Sequence, residues 1–315
     1  MRYGFIGLGN LGRHLAMSLV EAGFPLTVTD LRREAAAELL AAGAAWAENA
    51  RAVAQAADAV ITCLPSPAAA TAVMTGPEGV LAGLAAGGTW IEMSTNDREE
   101  IARIAALARQ QGVETLEAPV TGGVHRAASG RITVLIGGEA AIFARHRPAF
   151  EAMGGEIFHM GPLGSAAVIK VITNMLAFIH LVAAGEALML AKRGGLDLAQ
   201  AFAAIRASSG NSFVHETESQ VILNGSYDIG FTLDLAAKDL HFATEFGRRF
   251  GVPLELAGLV EQIFRRAQQQ YGGAAFSPKV VKLLEDALGT ELRAEGFPAQ
   301  ITEAWIAERG GGPAA

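Results

Sequence analysis

The sequence predicts two domains, an α/β domain with a mostly parallel sheet followed by an all-α domain. Three observations predict it. In the first half short β-like runs alternate with helical stretches, the signature of βαβ units and a parallel sheet. Past Gly161-Pro162-Leu163-Gly164 the strand signals stop and helical segments alone follow. The length of 315 residues, 51% of them hydrophobic, suffices for two sizeable cores. The reading gives residues 1–163 to the α/β domain and 164–300 to a helical domain that opens with a long interdomain helix. Residues 301–315 form a C-terminal tail.

Arg2–Ile6 reads as the first strand and Leu11–Ala22 as the first helix, closed by Gly23 where a helix end favours glycine. Leu26–Thr29 is the next strand and Arg32–Ala42 the next helix, closed by Gly43. The apolar runs Ala59–Leu64, Thr89–Met93, Thr115–Val120 and Ile132–Ile136 continue the sheet, with helices over Arg98–Gln111 and Ala140–Ala152. Ala166–Arg193 is one long helix. Leu198–Ala207, Glu216–Asn224, Leu235–Phe250, Leu254–Tyr271 and Lys279–Leu288 are further helices, and Gly310–Ala315 read as a frayed end.

Composition excludes several classes of function. The net charge is −7 with no block of like charge, and Arg32-Arg33 and Arg248-Arg249 are only pairs. Nucleic-acid binding needs a basic patch, so no nucleic-acid partner is expected. The single cysteine, Cys63, permits no intramolecular disulfide and reads as a buried strand thiol. The first residues lack the pattern of a signal peptide, which makes the expected location cytoplasmic. Val171–Leu190 is apolar and long enough to raise the question of a membrane span. Asn174, His180 and Glu186 inside it, and Lys170 at its entrance, are costly in lipid. A helix buried between domains is therefore expected, with no membrane partner. The seven histidines are scattered without metal-ligand spacing, so no metal site is expected.

Gly7-Leu8-Gly9-Asn10-Leu11-Gly12 is a GxGxxG directly after a strand and opening a helix, the context in which that pattern is informative. The first glycine makes the tight turn, the second lets the backbone approach a pyrophosphate, and the third allows close helix–strand packing. Unpaired N–H groups and the positive end of the helix dipole then meet the phosphates. This is the dinucleotide loop of a Rossmann domain. Asp30 ends the second strand, 18 residues after Gly12. A carboxylate there accepts from the adenosine ribose hydroxyls and repels a 2′-phosphate, which predicts NAD. Arg32 and Arg33 beside it are able to hold a 2′-phosphate, so NADP stays open as the alternative.

Four motifs in order now carry a resemblance: Gly7–Gly12, then Glu117-Ala118-Pro119-Val120-Thr121-Gly122-Gly123, then Lys170 with Asn174, then Phe231 through Lys238-Asp239-Leu240. Together they resemble the β-hydroxyacid dehydrogenases, the group of 3-hydroxyisobutyrate dehydrogenase and tartronate semialdehyde reductase, over about residues 2 to 290. The resemblance implies NAD-dependent interconversion of a small 3-hydroxy acid and its semialdehyde. It implies Lys170 as the catalytic lysine with Asn174 beside it, and Thr121, Gly122 and Gly123 as the substrate-carboxylate loop. Its cofactor contacts fall on the Gly7–Gly12 loop, Asp30, Leu64, Pro65, Thr95 and Lys238.

Physical chemistry agrees with that assignment. Lys170 and Asn174 are spaced i,i+4 and share a helix face. A lysine on an apolar helix is costly without a partner or a task, and desolvation, which disfavours a charged amine, suits proton transfer near neutral pH. Gly122 and Gly123 leave backbone N–H groups bare for a carboxylate. Leu64-Pro65-Ser66 and Ser94-Thr95 follow strands at the edge of a parallel sheet where ligands bind.

Three departures from the family bear on the substrate. Thr121 stands where serine is usual, Arg98 where proline is usual, and Ala275-Phe276-Ser277 where Asp-Phe-Ser is frequent. The lost carboxylate and Arg126, three residues past Gly123, make the pocket more positive, which predicts a small anionic substrate with Arg126 as a further contact. The competing readings are an imine reductase-like enzyme and a non-catalytic dinucleotide-binding protein. Both lack the lysine in the relatives this architecture resembles. The apolar helix and the apolar second domain predict a homodimer or homotetramer.

Overall fold

The computed structural model describes residues 1–302, 304 and 305. The chain divides into two compact units, Met1–Lys170 and Val171–Ala315.

The first unit opens with β1 (Tyr3–Ile6), α1 (Gly12–Glu21) and β2 (Leu26–Thr29). A 3-10 turn over Arg33–Ala36 leads into α2 (Ala37–Ala41), then β3 (Ala45–Trp46), α3 (Ala50–Ala56) and β4 (Ala59–Thr62). Next come α4 (Pro67–Thr75), β5 (Thr89–Glu92), α5 (Arg98–Gln110), β6 (Glu114–Glu117) and β7 (Val120–Thr121). The unit closes with α6 (Val124–Ala128), β8 (Ile132–Gly137), α7 (Ala140–Met153), β9 (Gly154–Gly161) and the start of α8 (Ser165–Arg193). The strands form one sheet in the order β3-β2-β1-β4-β5-β6-β8-β7, with β9 also paired to β8. Pairs from β1 to β6 are parallel; β8 is antiparallel to β6 and β7 and parallel to β9. Strand order reverses at β1, between β2 and β4. That switch point opens a ligand crevice at the carboxyl ends of the strands.

Helices cover both faces of this sheet, so β1, β4 and β5 are buried at every residue. Alternate residues serve two cores. Tyr3, Phe5, Ile61 and Ile91 pack with Leu15, Leu19, Phe150 and Met153 of α1 and α7. Ile6, Val60 and Trp90 pack with Val53, Met74 and Ile104 of α3, α4 and α5.

α8 continues into the second unit, followed by α9 (Leu198–Arg206), α10 (Phe213–Asn224), α11 (Leu233–Phe250) and α12 (Glu255–Tyr271). A 3-10 turn over Ser277–Val280 then precedes α13 (Lys282–Leu288). Asp197, Ser212 and Thr232 cap α9, α10 and α11 through their side-chain oxygens. Phe178 and Leu181 of α8, Phe202, Leu240 and Phe264 meet in one core. Gly185 lets α8 approach Val281 closely, since a Cβ there would lie 2.5 Å from a Val281 methyl.

Four expectations differ in detail. The run Thr115–Val120 is two strands, because Ala118-Pro119 interrupts it: β6 stays in the parallel part of the sheet and β7 pairs antiparallel with β8. The helix expected over Arg32–Ala42 begins as a 3-10 turn, and so does the one expected from Lys279. α8 is long and apolar enough by composition to cross a membrane, with a mean hydropathy of 1.9 in its most apolar stretch. Contrary to the expectation of a buried helix, 33% of that stretch is buried in the single chain. Ile172, Leu176 and Leu190 are exposed.

Candidate cofactor and substrate site

The glycine loop occupies the turn from β1 to α1, and each glycine has its own reason. Gly7 has φ +99° and lies so close to β4 that a Cβ would collide with the Cys63 carbonyl. A Cβ at Gly12 would collide with the Gly7 carbonyl, so α1 can start there only on a glycine. Gly9 has nothing within 4 Å of its would-be Cβ and faces open space. That cradle suits a pyrophosphate approaching the backbone, and no side chain caps the start of α1 in competition with it.

Asp30 ends β2 with its carboxylate turned to this loop. Its Oδ2 accepts the Leu8 N–H at 2.7 Å and its Oδ1 accepts the Arg32 N–H at 3.0 Å. Arg33 faces elsewhere: its guanidinium stacks 5.5 Å above the Trp46 ring and lies 3.6 Å from Glu48. Arg32 is exposed beside Asp30. The Leu64 N–H donates to Ser94 Oγ at 2.7 Å, tying the ends of β4 and β5 together. Pro65 is exposed, and Ser66 caps α4 through Ala69. Thr95, half-buried, follows Ser94 at the same edge.

Beneath that edge lies a residue that sequence reasoning passed over. Glu92 is fully buried at the end of β5, in register with Thr62 of β4 and Glu117 of β6. Its Oε1 accepts the Ser94 N–H at 2.7 Å, while Oε2 finds no hydrogen-bond partner among the described residues. Burial pushes its carboxyl up to about 7, opposed first by the Ser94 contact. Burial likewise pushes the Cys63 thiol up to about 12, so it is no nucleophile near neutral pH.

β7 runs into Gly122 and Gly123 at φ +122° and +87°, backbone that only glycine adopts readily. Thr121 ends the strand half-buried. The Arg126 side chain folds back over this turn, its Cδ only 2.9 Å from where a Cβ on Gly122 would be. Arg126 and the two glycines thus form one feature. His125 is buried under Gly123.

Lys170 is the sixth residue of α8 and only 7% exposed. In the second unit, Asn174 Nδ2 donates to Asp239 Oδ2 at 2.6 Å, and Lys238 Nζ donates to Asp239 Oδ1 at 2.6 Å. Asp239 is 1% exposed, and its two oxygens hold the two expected site residues of this unit. The adjacent Lys238-Asp239 pair was the signal available for it, but its partner on α8 leaves no local trace. A depression of about 420 Å³ on the second unit is lined by Thr244, Gly247, Arg248, Val252 and Pro253 and includes none of these residues.

The chain is matched over residues 2–161 by the NAD binding domain of 6-phosphogluconate dehydrogenase. Residues 164–284 match the NAD-binding domain of NADP-dependent 3-hydroxyisobutyrate dehydrogenase. It is 32% identical to 2-(hydroxymethyl)glutarate dehydrogenase of Eubacterium barkeri, over 93% of this chain and 97% of that one. It is 36% identical to NAD-dependent L-serine dehydrogenase of Pseudomonas aeruginosa, over 90% and 98%. The crystal structure of 3-hydroxyisobutyrate dehydrogenase from Salmonella typhimurium superposes with a TM-score of 0.84 at 30% identity, covering 90% of this chain and 99% of that one. An imine reductase from Pseudomonas sp., with a TM-score of 0.60 at 20% identity over 90% of this chain and 99% of that one, shares the fold alone.

Proposed function

The chain belongs to the β-hydroxyacid dehydrogenase family, and on that premise we propose that it oxidises a small anionic 3-hydroxy acid, or reduces the matching semialdehyde, with Lys170 as general acid–base group and NAD as cofactor. The observation that carries the reading is Lys170 itself, an amine only 7% exposed on an apolar helix, in a chain that also holds the open Gly9 cradle.

The Gly7–Gly12 backbone would hold the pyrophosphate of NAD, Asp30 the adenosine ribose, and Leu64, Pro65, Thr95 and Lys238 further parts of the cofactor. When bound, the nicotinamide supplies the hydride acceptor or donor. Lys170 Nζ takes the substrate hydroxyl proton in oxidation and returns it in reduction. Asn174 lies one turn further along the same helix face and, steadied by Asp239, hydrogen-bonds the substrate hydroxyl or orients the lysine. The N–H groups of the Thr121-Gly122-Gly123 turn receive the carboxylate, and Arg126 meets a second acidic or polar group. Asp30 favours NAD because its carboxylate sits where a 2′-phosphate would need a cation, while Arg33 is engaged by Trp46 and Glu48.

The exposed Ile172, Leu176 and Leu190 of α8 support a homodimer or homotetramer. Light scattering that finds a monomer would sink that. The lone Cys63 suits a reducing compartment, so the proposed location is the cytoplasm.

The test is a screen of 3-hydroxy acids with NAD and with NADP, followed by nicotinamide absorbance. Turnover of at least one 3-hydroxy acid, and far slower turnover of its methyl ester, is expected. Reduction of cyclic imines with no 3-hydroxy acid turned over would refute the proposal.

A further inference from the structure

Glu117 ends β6 with its carboxyl fully buried. Its Oε1 accepts the N–H groups of Gly164 and Ala166, both at 2.7 Å. Gly164 immediately precedes α8 and Ala166 is its second residue. The carboxylate therefore takes up amide donors that a helix start leaves without partners, and it meets the positive end of the dipole.

Three neighbours fit around this contact. Gly137 lies opposite Glu117 in the β6–β8 pair, and any Cβ there would collide with the Glu117 carboxylate. Gly164, at φ +96°, leaves room for Arg98, whose Nε is 2.7 Å from where a Cβ would sit. Burial pushes the Glu117 carboxyl above its ordinary range, while the backbone N–H groups and then the Arg98 charge act in the opposite direction. Arg98, at the start of α5, thus opposes the effect of burial on this carboxyl.

Lys170 stands four residues beyond Ala166, one helical turn on and along the same face. Lys170 projects from the turn that directly follows the one Glu117 grips. We propose that Glu117 is a positioning residue for Lys170: it fixes the first turn of α8 against the end of β6, and Arg98, Gly137 and Gly164 hold it in place to do so. The proposal rests on Lys170 being the acid–base group.

The test is a double-mutant cycle read in kcat, KM for NAD and the primary deuterium isotope effect on kcat. Glu117→Ala should lower kcat about 10- to 100-fold, the scale on which misplacing a catalytic group acts. KM for NAD should stay within about threefold, because the cofactor loop is untouched. The isotope effect should change, and Glu117→Gln, which keeps the acceptor oxygen, should recover most of kcat. In a Lys170→Ala background Glu117→Ala should cost nothing further. If Glu117→Ala does not fold, Glu117→Asp, one methylene too short to reach both amides, carries the same expectations. A folded Glu117→Ala or Glu117→Asp with unchanged kcat overturns the inference, as does an equal loss in both backgrounds. If Lys170→Ala itself turns over normally, the acid–base reading falls and this inference with it. If Lys170→Ala is inactive and Glu117→Ala is normal, only the positioning role fails.

Discussion

Glu92→Gln should stabilise the protein, and by more as the pH rises. In the folded chain the Glu92 carboxyl is fully buried and titrates at about 7, against an ordinary 4.5. The folded state therefore binds more protons than the unfolded state between those values. Stability from this group is fully present below about pH 4.5 and is lost as the pH climbs to about 7, after which it is level. Raising a carboxyl from 4.5 to about 7 corresponds to a free energy on the order of 3 kcal/mol. Glutamine copies the protonated form and can still accept the Ser94 N–H, so it escapes that loss. For a unit of this size the gain in Tm above about pH 7.5 should be roughly 6–12 °C, less whatever the new amide donor costs. The assay is thermal unfolding by circular dichroism of both proteins from about pH 5 to about pH 8.5. The difference in Tm should be small at the acid end and widen through neutrality. A difference that is constant with pH, or that shrinks as pH rises, would show that Glu92 is not held protonated by burial.

Lys170→Ala should lower kcat by about 10²–10⁴-fold with NAD affinity nearly unchanged, measured by steady-state kinetics and cofactor titration. Near-normal turnover would remove Lys170 from the chemistry. NAD should give a higher kcat/KM than NADP, and Asp30→Ala should narrow the gap; a clear preference for NADP would mean that Arg32 governs the ribose site. Arg126→Ala should lose about ten- to a hundredfold in kcat/KM on the acid substrate, the worth of one charge-assisted contact, and much less on its amide. Equal discrimination between acid and amide in both proteins would exclude Arg126 from substrate choice.

The parallel strands were legible because burial on both faces makes them continuous apolar runs, and β1, β2, β4 and β5 fall within two residues of where the sequence places them. β9 was not, because at the outer edge of the sheet most of its residues are exposed and Gly154-Gly155 erases any alternation. α4 was missed for a different reason: its run of alanines has no apolar period, although Ser66-Pro67 carried the start signal in plain view. In the site, the Gly7–Gly12 loop and Asp30 are local motifs and could be read directly. The grip of Glu117 on Gly164 spans 47 residues, and that of Asp239 on Asn174 spans 65, so neither leaves a local pattern. The Arg98 side chain packs against Gly164 from a distant part of the chain, so that contact leaves no local pattern either. The end expected to fray, Gly310–Ala315, lies outside the described residues.

The reaction proposed is hydride transfer between a hydroxylated carbon and a nicotinamide. Its most direct test uses the best 3-hydroxy acid from the screen, made with deuterium on the carbon that bears the hydroxyl. One deuterium should arrive on the nicotinamide ring, and single-turnover oxidation should slow by a primary isotope effect. Deuterium recovered in water, or product formed with none of the label on the nicotinamide, would contradict it.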